Sequence, residues 1–407
     1  MEIFLVGGAV RDELLGLPVV ERDFVVVAGS AENLIAKGFR PVGRDFPVFL
    51  HPDTSEEYAL ARTERKIGPG YRGFEFKTSS SVSLEEDLQR RDLTINAIAK
   101  DEHGGLRDPW GGVHDLSRRI LRHVSPAFKE DPVRILRVAR FAARFNSLGF
   151  RIAPDTMDLM REMVDEGEVD TLVPERVFQE VEKTLKGPNP EVFFDVLRQC
   201  GALCRVFPEI DALFGVPQEA ATHPEIDVGV HALLALAASA ILSPEPHIRF
   251  ATLVHDLGKA RTERLNWPHH PDHALLGLEP LDALAQRLGM PRHYYRLAQK
   301  VILHHEIIHE ACGLDAEALM NLIEKLDGIR QPKLFEEVLL AAEADFRGRP
   351  GFEKKAYPPR EFLKGLLTII CAVRPSTLAD PKIQGRQFGE ALRKLRLSAV
   401  RNYIVKA

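Results

Sequence analysis

Leu5-Val6-Gly7-Gly8-Ala9-Val10-Arg11-Asp12, followed by Glu21-Arg22-Asp23-Phe24-Val25-Val26-Val27, decides the fold of the amino end. Ile3–Val6 is a short β-branched and aromatic run, and Ala9–Leu15 is a short helix closed by Gly16 and Pro18. The two glycines between them let the backbone come close to a polyphosphate, and the helix start offers free N–H groups. Arg11, on the first helical turn, is placed to fork onto a phosphate. Phe24–Val27 is a second strand. Residues i and i+2 of a strand project to one face, which puts the carboxylates of Glu21 and Asp23 side by side. Two such anions repel unless a cation lies between them, an arrangement suited to Mg²⁺-dependent phosphoryl or nucleotidyl transfer. In isolation, the Gly-Gly pair reads first as a structural turn and the carboxylates as a surface charge pair; their occurrence together within fifteen residues turns the reading toward phosphate chemistry.

Outward from this start, Glu57–Ala61 is a third, weaker strand, and Ser83-Leu84-Glu85-Glu86 is a capping box that predicts a helix through about Ala99. Arg65–Gly73, rich in glycine, is expected to be a loop. After Pro109-Trp110-Gly111-Gly112 the strand signal fades. Helices are predicted over 132–145, 154–166, 174–185 and 190–200, each with proline at or near its start. Further helices follow over 228–242, 247–257, 273–288, 291–306, 314–327 and 332–345, with a helical tail. No internal repeat is seen.

The chain has 407 residues, too many for one compact core, and its 45% hydrophobic and 28% charged content is that of a globular protein. No apolar run approaches the roughly 18 residues of a spanning helix. The amino end has no basic leader, so no signal peptide is expected. Four cysteines without a C-x-x-C pair exclude a disulfide scaffold, and Cys200 and Cys204, at helical spacing, are expected to be reduced core thiols in a cytoplasmic protein. The net charge of −5 argues against a nucleic-acid coat protein. The distribution is more telling. Arg118 to Arg151 carries nine basic residues and only two acids, Glu130 and Asp131. Eleven of the fifteen histidines lie between His223 and His309, which suggests a second, separate chemistry.

On the helix over 132–145, Arg134, Arg137, Arg140 and Arg144 fall within an arc of about 120°. Solvated helices interleave acids at i+4; this one has acids only at its start. Arginine is the residue for forked recognition of phosphates and base edges. Downstream, His231, His255-Asp256-Leu257-Gly258-Lys259, His270, His273, His304-His305 and Asp345 combine imidazole and carboxylate, a set suited to divalent first-row metals.

The order Gly7-Gly8, Arg11, Glu21-x-Asp23 resembles the nucleotidyltransferase head shared with DNA polymerase β. Arg90-Arg91-Asp92-Leu93-Thr94-Ile95-Asn96-Ala97 and Glu130-Asp131-Pro132-Val133-Arg134 resemble motifs of the bacterial class II CCA-adding enzymes, in particular the multifunctional type with an HD domain. The likeness extends along essentially the whole chain. One departure is that the first carboxylate, usually Asp in the family, is Glu21, which keeps the charge and adds a methylene of reach. The resemblance implies an α+β architecture: a polymerase-β-like head over 1–125, an elongated all-helical neck and body over 126–225, a helical HD domain over 226–330 and a helical tail over 331–407. It implies two C and one A additions to a tRNA 3′ end from CTP and ATP without a template, with Mg²⁺ at the catalytic Glu21 and Asp23. Gly8, Arg11, Arg91, Arg137 and Arg140 would bind the nucleotide, and Asp131 and Arg134 would read its Watson–Crick edge. Arg62–Lys66 is a candidate for switching between C and A, with a buried structural pair between Glu64 and a nearby arginine as the alternative reading.

In the histidine-rich part, the resemblance is to HD phosphohydrolases. It implies metal ligands at His231, His255, Asp256 and Asp345, phosphate contacts at His270, His273 and His305, and nickel or another divalent first-row metal. The implied activities are phosphatase, 2′-nucleotidase and 2′,3′-cyclic phosphodiesterase. Expected partners are tRNA, CTP and ATP, with no DNA and no membrane, and the chain is expected to be a monomer or weak homodimer. The competing expectations are a bacterial poly(A) polymerase, whose relatives usually carry a basic C-terminal extension and lack the HD set, and a nucleotide-sensing or RNA-binding protein with an inactive head.

Overall fold

The computed structural model describes residues 1–42, 48–66, 74–78, 81–374, 376 and 385–405, without the side chains of 64–66 and 74–78. Two compact units are present: Met1–Thr184 with Val192–Val206, and Leu185–Glu191 with Phe207–Ala407.

The first unit is built on a seven-stranded mixed sheet. Its order is Arg40–Val42, Val48–Leu50, Glu57–Leu60, Asp23–Val27, Glu2–Val6, Ala99–Lys100 and Leu106–Arg107. Glu2–Val6 runs antiparallel to Asp23–Val27, which runs parallel to Glu57–Leu60. Alternation gives the sheet two buried faces. Phe4, Val6 and Val25 pack on one side with Leu84, Leu88 and Ala97. Val26, Tyr58 and Leu60 pack on the other with Leu34, Phe39 and Phe49. Each such side chain contributes about 1.5–3 kcal/mol on burial, enough to fix the register on which the candidate site depends.

Several elements depart from expectation. The capped helix stops at Gln89 instead of running to Ala99. Its Ser83–Glu86 capping box is formed, but Arg90 and Arg91 turn back onto Asp87, and the Asp92 carboxylate accepts the Leu93 N–H at 2.8 Å. That local bond competes with helix propagation, and the chain then joins the sheet at Ala99–Lys100. Arg65 and Lys66 end the strand Arg62–Lys66, while residues 67–73 of the expected loop lie outside the described residues. Glu21 precedes the strand that begins at Asp23. Val6 pairs with Asp23, and Gly7 then turns into the helix Gly8–Leu14, so the ladder has no neighbour to continue it. Cys200 is buried but Cys204 is exposed, because Gly201, at φ 79°, breaks the helix between them.

In the second unit, the helices Val228–Leu242, Pro246–Leu253, Arg292–His309 and Pro332–Arg347 pack against one another. The segment predicted as one helix over 273–288 is two, His273–Leu276 and Leu278–Leu288, separated by Gly277. A Cβ on Gly258 would lie 1.8 Å from the His273 carbonyl oxygen and 2.6 Å from the Gly277 nitrogen, so the turn after His255-Asp256 fits only as glycine. Among the described residues, no helix is long and apolar enough to cross a membrane.

Candidate functional site

A cavity of about 780 Å³ opens in the first unit. It is lined by Gly8, Arg11, Glu21, Asp23, Arg91, Asp131, Arg134, Arg137 and Arg140, so the residues the sequence assigned to catalysis and nucleotide binding border one space. Ten cationic and five anionic side chains line it, a balance that favours a polyphosphate.

The Gly-Gly turn works through its backbone. Gly7 sits at φ 69°, and a Cβ there would lie 2.9 Å from Arg91 Nη1. Arg11 is buried. Its Nε donates to Asp12 Oδ1 at 2.8 Å and its Nη1 to Asn96 Oδ1 at 2.5 Å. The guanidinium also stacks on Phe141 and Phe145, each 5.1 Å away, and Arg144 closes onto Asp12 Oδ2 at 2.8 Å. The turn is thereby tied to the arginine-bearing helix Val133–Phe145.

Arg90, Arg91, Arg137 and Arg140 are held by buried acids to which the sequence reading gave no role, Asp87, Asp92 and Glu180. Asp87 takes Arg90 at 2.7 Å and Arg91 at 3.2 Å. Asp92 takes Arg137 Nε at 2.7 Å and Asn96 Nδ2 at 2.9 Å, and the charge of Arg137 and these hydrogen bonds hold its carboxyl far below the usual range despite full burial. Glu180 takes Arg140 Nε at 2.5 Å. Asp131 is gripped by both nitrogens of the Arg176 fork, at 3.0 and 2.7 Å. Arg134 donates to the carbonyls of Ala127 and Arg90, each at 2.6 Å. The five acid–arginine pairings join residues 3 to 45 positions apart, and of these only the Asp87–Arg90 and Asp87–Arg91 spacings carry a local signal in the sequence.

Burial pushes the Asp23 carboxyl up; Arg91 opposes the rise and Glu21 adds to it. A further carboxylate, Glu57, is the direct register partner of Asp23 and lines the same cavity. Strand pairing, not spacing, brings it there. Oxygen-only donors of this kind suit a hard divalent cation. The side chains of Glu64, Arg65 and Lys66, in the expected switching segment, lie outside the described residues.

A second cluster lies in the other unit. His231, His255, Asp256, His273, His305 and Asp345 are all buried, and their ligating atoms group in overlapping threes within 4.8 Å. His231 Nε2 is 2.9 Å from Asp345 Oδ1, and His255 Nε2 is 3.1 Å from Asp256 Oδ2. Asp256 and Asp345 are held well below the usual carboxylate range by the surrounding imidazoles and, for Asp256, Lys259, against the effect of burial. Asp256 Oδ1 and Oδ2, His255 Nε2 and His273 Nε2 are buried and form no hydrogen bond among the described residues. Asp256 Oδ2 has an ion pair with Lys259 Nζ at 2.8 Å, and the remaining open donor atoms fit a cation. His270 stands apart, with its ring nitrogens on Thr262 Oγ1 at 2.7 Å and the Pro217 carbonyl at 2.8 Å. The sequence did not single out His309, whose Nε2 meets Asp345 Oδ2 at 2.6 Å while Nδ1 meets the Tyr357 hydroxyl at 2.8 Å. Nor did it single out Glu225, 2.6 Å from His231 Nδ1.

The family described as Poly A polymerase head domain matches residues 3–122, and the one described as probable RNA and SrmB-binding site of polymerase A matches residues 149–214. The chain is similar over nearly its whole length to proteins named multifunctional CCA protein. It is 56% identical over 402 residues to that of Methylococcus capsulatus, covering 98% of this chain and 95% of the relative. It is 54% identical over 404 residues to that of Nitrosococcus oceani, covering 99% of each. Among solved structures, the fold is similar to a CCA-adding enzyme in complex with ATP (TM-score 0.66, 21% identity, 100% of this chain and 88% of that one). It is similar to the Bacillus stearothermophilus CCA-adding enzyme with CTP (0.64, 23%, 98% and 89%). It is also similar to the Thermotoga maritima CCA-adding enzyme complexed with tRNA (0.64, 20%, 100% and 91%). A head shared with poly(A) polymerases, near-full-length identity above one half to multifunctional CCA proteins and a His/Asp cluster of HD type converge: this chain belongs to the multifunctional CCA protein family and is a class II CCA-adding tRNA nucleotidyltransferase.

Proposed function

We propose that the chain takes tRNA, CTP and ATP as its substrates and, in the cytoplasm, builds or repairs the 3′-terminal CCA through the cavity of the first unit. The observation that carries this is the meeting of Glu21 and Asp23 with the Asp131–Arg140 arginine set around one space. Glu21 and Asp23 would hold Mg²⁺, which supplies charge neutralisation and a lowered pKa for a hydroxyl. The tRNA 3′-oxygen bonds to the α-phosphorus as the bond to the β-phosphate oxygen breaks, the hydroxyl proton is lost and pyrophosphate leaves. Gly7 and Gly8 admit the phosphates against the backbone, and Arg91, Arg137 and Arg140 bind them. Asp131 accepts and Arg134 donates at the base edge, in place of a template base. The pairing of Asp131 with Arg176 and the donation by Arg134 to two carbonyls hold these reading groups still until a base arrives. Arg11, which lines the same cavity and pairs with Asp12 and Asn96, joins Arg91, Arg137 and Arg140 in binding the nucleotide while bracing the turn.

The functional segments proposed along the chain are the head 1–125, a selecting and RNA-holding part 126–225, the hydrolase part 226–330 and the tail 331–407, which lends Asp345 to the hydrolase cluster. In that cluster, His231, His255, Asp256 and Asp345 would hold Ni²⁺ or a similar ion, which supplies an activated water for phosphatase, 2′-nucleotidase and 2′,3′-cyclic phosphodiesterase chemistry. Incubating tRNA that lacks CCA with CTP alone, then with CTP and ATP, tests the head. Two C additions followed by one A are expected; an open-ended A tail would instead favour a poly(A) polymerase.

A further inference from the structure

We infer that Arg349 is the group that binds the phosphate of the hydrolase substrate, a 2′-phosphate or 2′,3′-cyclic phosphate at a nucleotide end. This rests on the proposed hydrolase reading and names the side chain that receives its substrate. Gly348 ends the helix Pro332–Arg347, yet its N–H still reaches the Ala344 and Asp345 carbonyls, at 2.9 and 3.1 Å. The helical path is therefore kept for one more step, and Arg349 stands one turn beyond Asp345 on the same face. Its Nη2 lies 3.5 Å from Asp345 Oδ1, the oxygen that also lies 2.9 Å from His231 Nε2. His223, His309 and Arg349 are half-buried where His231, His255 and Asp345 are buried, so the cluster meets solvent along this edge.

Arg349 differs from the cations around it in having donors to spare. Among the described residues, its side chain makes one hydrogen bond, the 3.5 Å contact with Asp345, and its Nε is buried without a partner. The guanidinium otherwise lies over the Phe346 ring, 5.9 Å from its centre, a contact that uses no N–H. Its neighbours are committed. Lys259 Nζ holds Asp256 at 2.8 Å and Gln218 at 3.0 Å. Arg347 holds Glu343 and the Glu353 carbonyl, at 2.7 and 2.8 Å. Arg360 holds Glu336 and Glu343, at 2.6 and 2.9 Å. His270, with both ring nitrogens on Thr262 and Pro217, has none left for a phosphate. A pair built only to hold Asp345 would close to the distances of those bonds. A cation with an orphaned buried donor is instead satisfied when an anion arrives, and the planar fork fits two oxygens of a phosphate.

Hydrolysis of 2′,3′-cyclic AMP by the full chain with Ni²⁺, with inorganic phosphate as competitor, tests this. Arg349→Gln is expected to raise both the KM for the cyclic nucleotide and the inhibition constant for phosphate by roughly 10–100-fold. That change should exceed any fall in kcat, with the Ni²⁺ content and the urea midpoint kept. Arg349→Lys, which keeps the charge without the fork, is expected to recover part of both. An unchanged KM and inhibition constant in Arg349→Gln would overturn the proposal. So would a loss of Ni²⁺ or of urea midpoint in step with the activity, which would make Arg349 a strut for Asp345. Absence of hydrolysis in the unsubstituted chain would overturn the hydrolase reading itself and this proposal with it, so the two failures are distinguishable.

Discussion

At the scale of the residue, the head is governed by a few side chains that cannot be exchanged for near relatives. Gly7 must adopt φ 69° with Arg91 Nη1 in the space a Cβ would fill. Gly7→Ala is expected to cost about 1–3 kcal/mol and to weaken nucleotide binding, seen as a lower urea midpoint together with a raised KM for CTP. Asp92 offers a pH test. Its folded pKa is depressed, so its contribution is present above the ordinary carboxylate value of about 3.9 and is lost as pH falls below it toward the folded value. Asp92→Asn keeps the shape but leaves Arg137 without its charge partner. A loss of about 3–5 kcal/mol at pH 7 is expected, with a shallower acid limb in urea midpoints measured from pH 5 to 2. An unchanged limb would mean that Asp92 does not anchor Arg137.

At the scale of the element, both centres depend on close backbone contact. A Cβ on Gly348 would lie 2.6 Å from Ala235 Cα, where the helices Val228–Leu242 and Pro332–Arg347 cross. Those two helices carry His231 and Asp345, 2.9 Å apart. Gly348→Ala is expected to force them apart and lower Ni²⁺ affinity by roughly 10–100-fold, measurable by calorimetry; unchanged affinity would separate the crossing from the site. Much of this was legible in the sequence. Gly7-Gly8, Glu21 and Asp23 announce themselves by spacing, and Arg134 to Arg144 by helical period. Glu57 was not legible, because only strand register brings it to Asp23. Arg176 and Glu180 were not either, since their pairs with Asp131 and Arg140 span two helices. His309 reads as one more surface imidazole until the fold sets it against Asp345. The helix expected to reach Ala99 failed because Asp92 bonds its own neighbour's N–H, a local choice that periodicity does not register.

At the scale of the whole molecule, two compact units carry two chemistries with no residue in common. Asp23→Asn should therefore abolish C and A incorporation and leave hydrolysis of 2′,3′-cyclic AMP intact, while His255→Ala should do the reverse. Loss of both activities in either variant would show one centre, not two. Asp131→Ala should corrupt the choice between CTP and ATP more than the rate, read by sequencing the added nucleotides. The most direct measurement is crystallographic: the chain soaked with Mn²⁺ and a non-hydrolysable CTP analogue, with data collected at the manganese edge. Anomalous density held by Glu21 and Asp23, with the triphosphate running toward Arg91, Arg137 and Arg140, is the expected result. Density bound elsewhere in the head, with those two carboxylates bare, would contradict it.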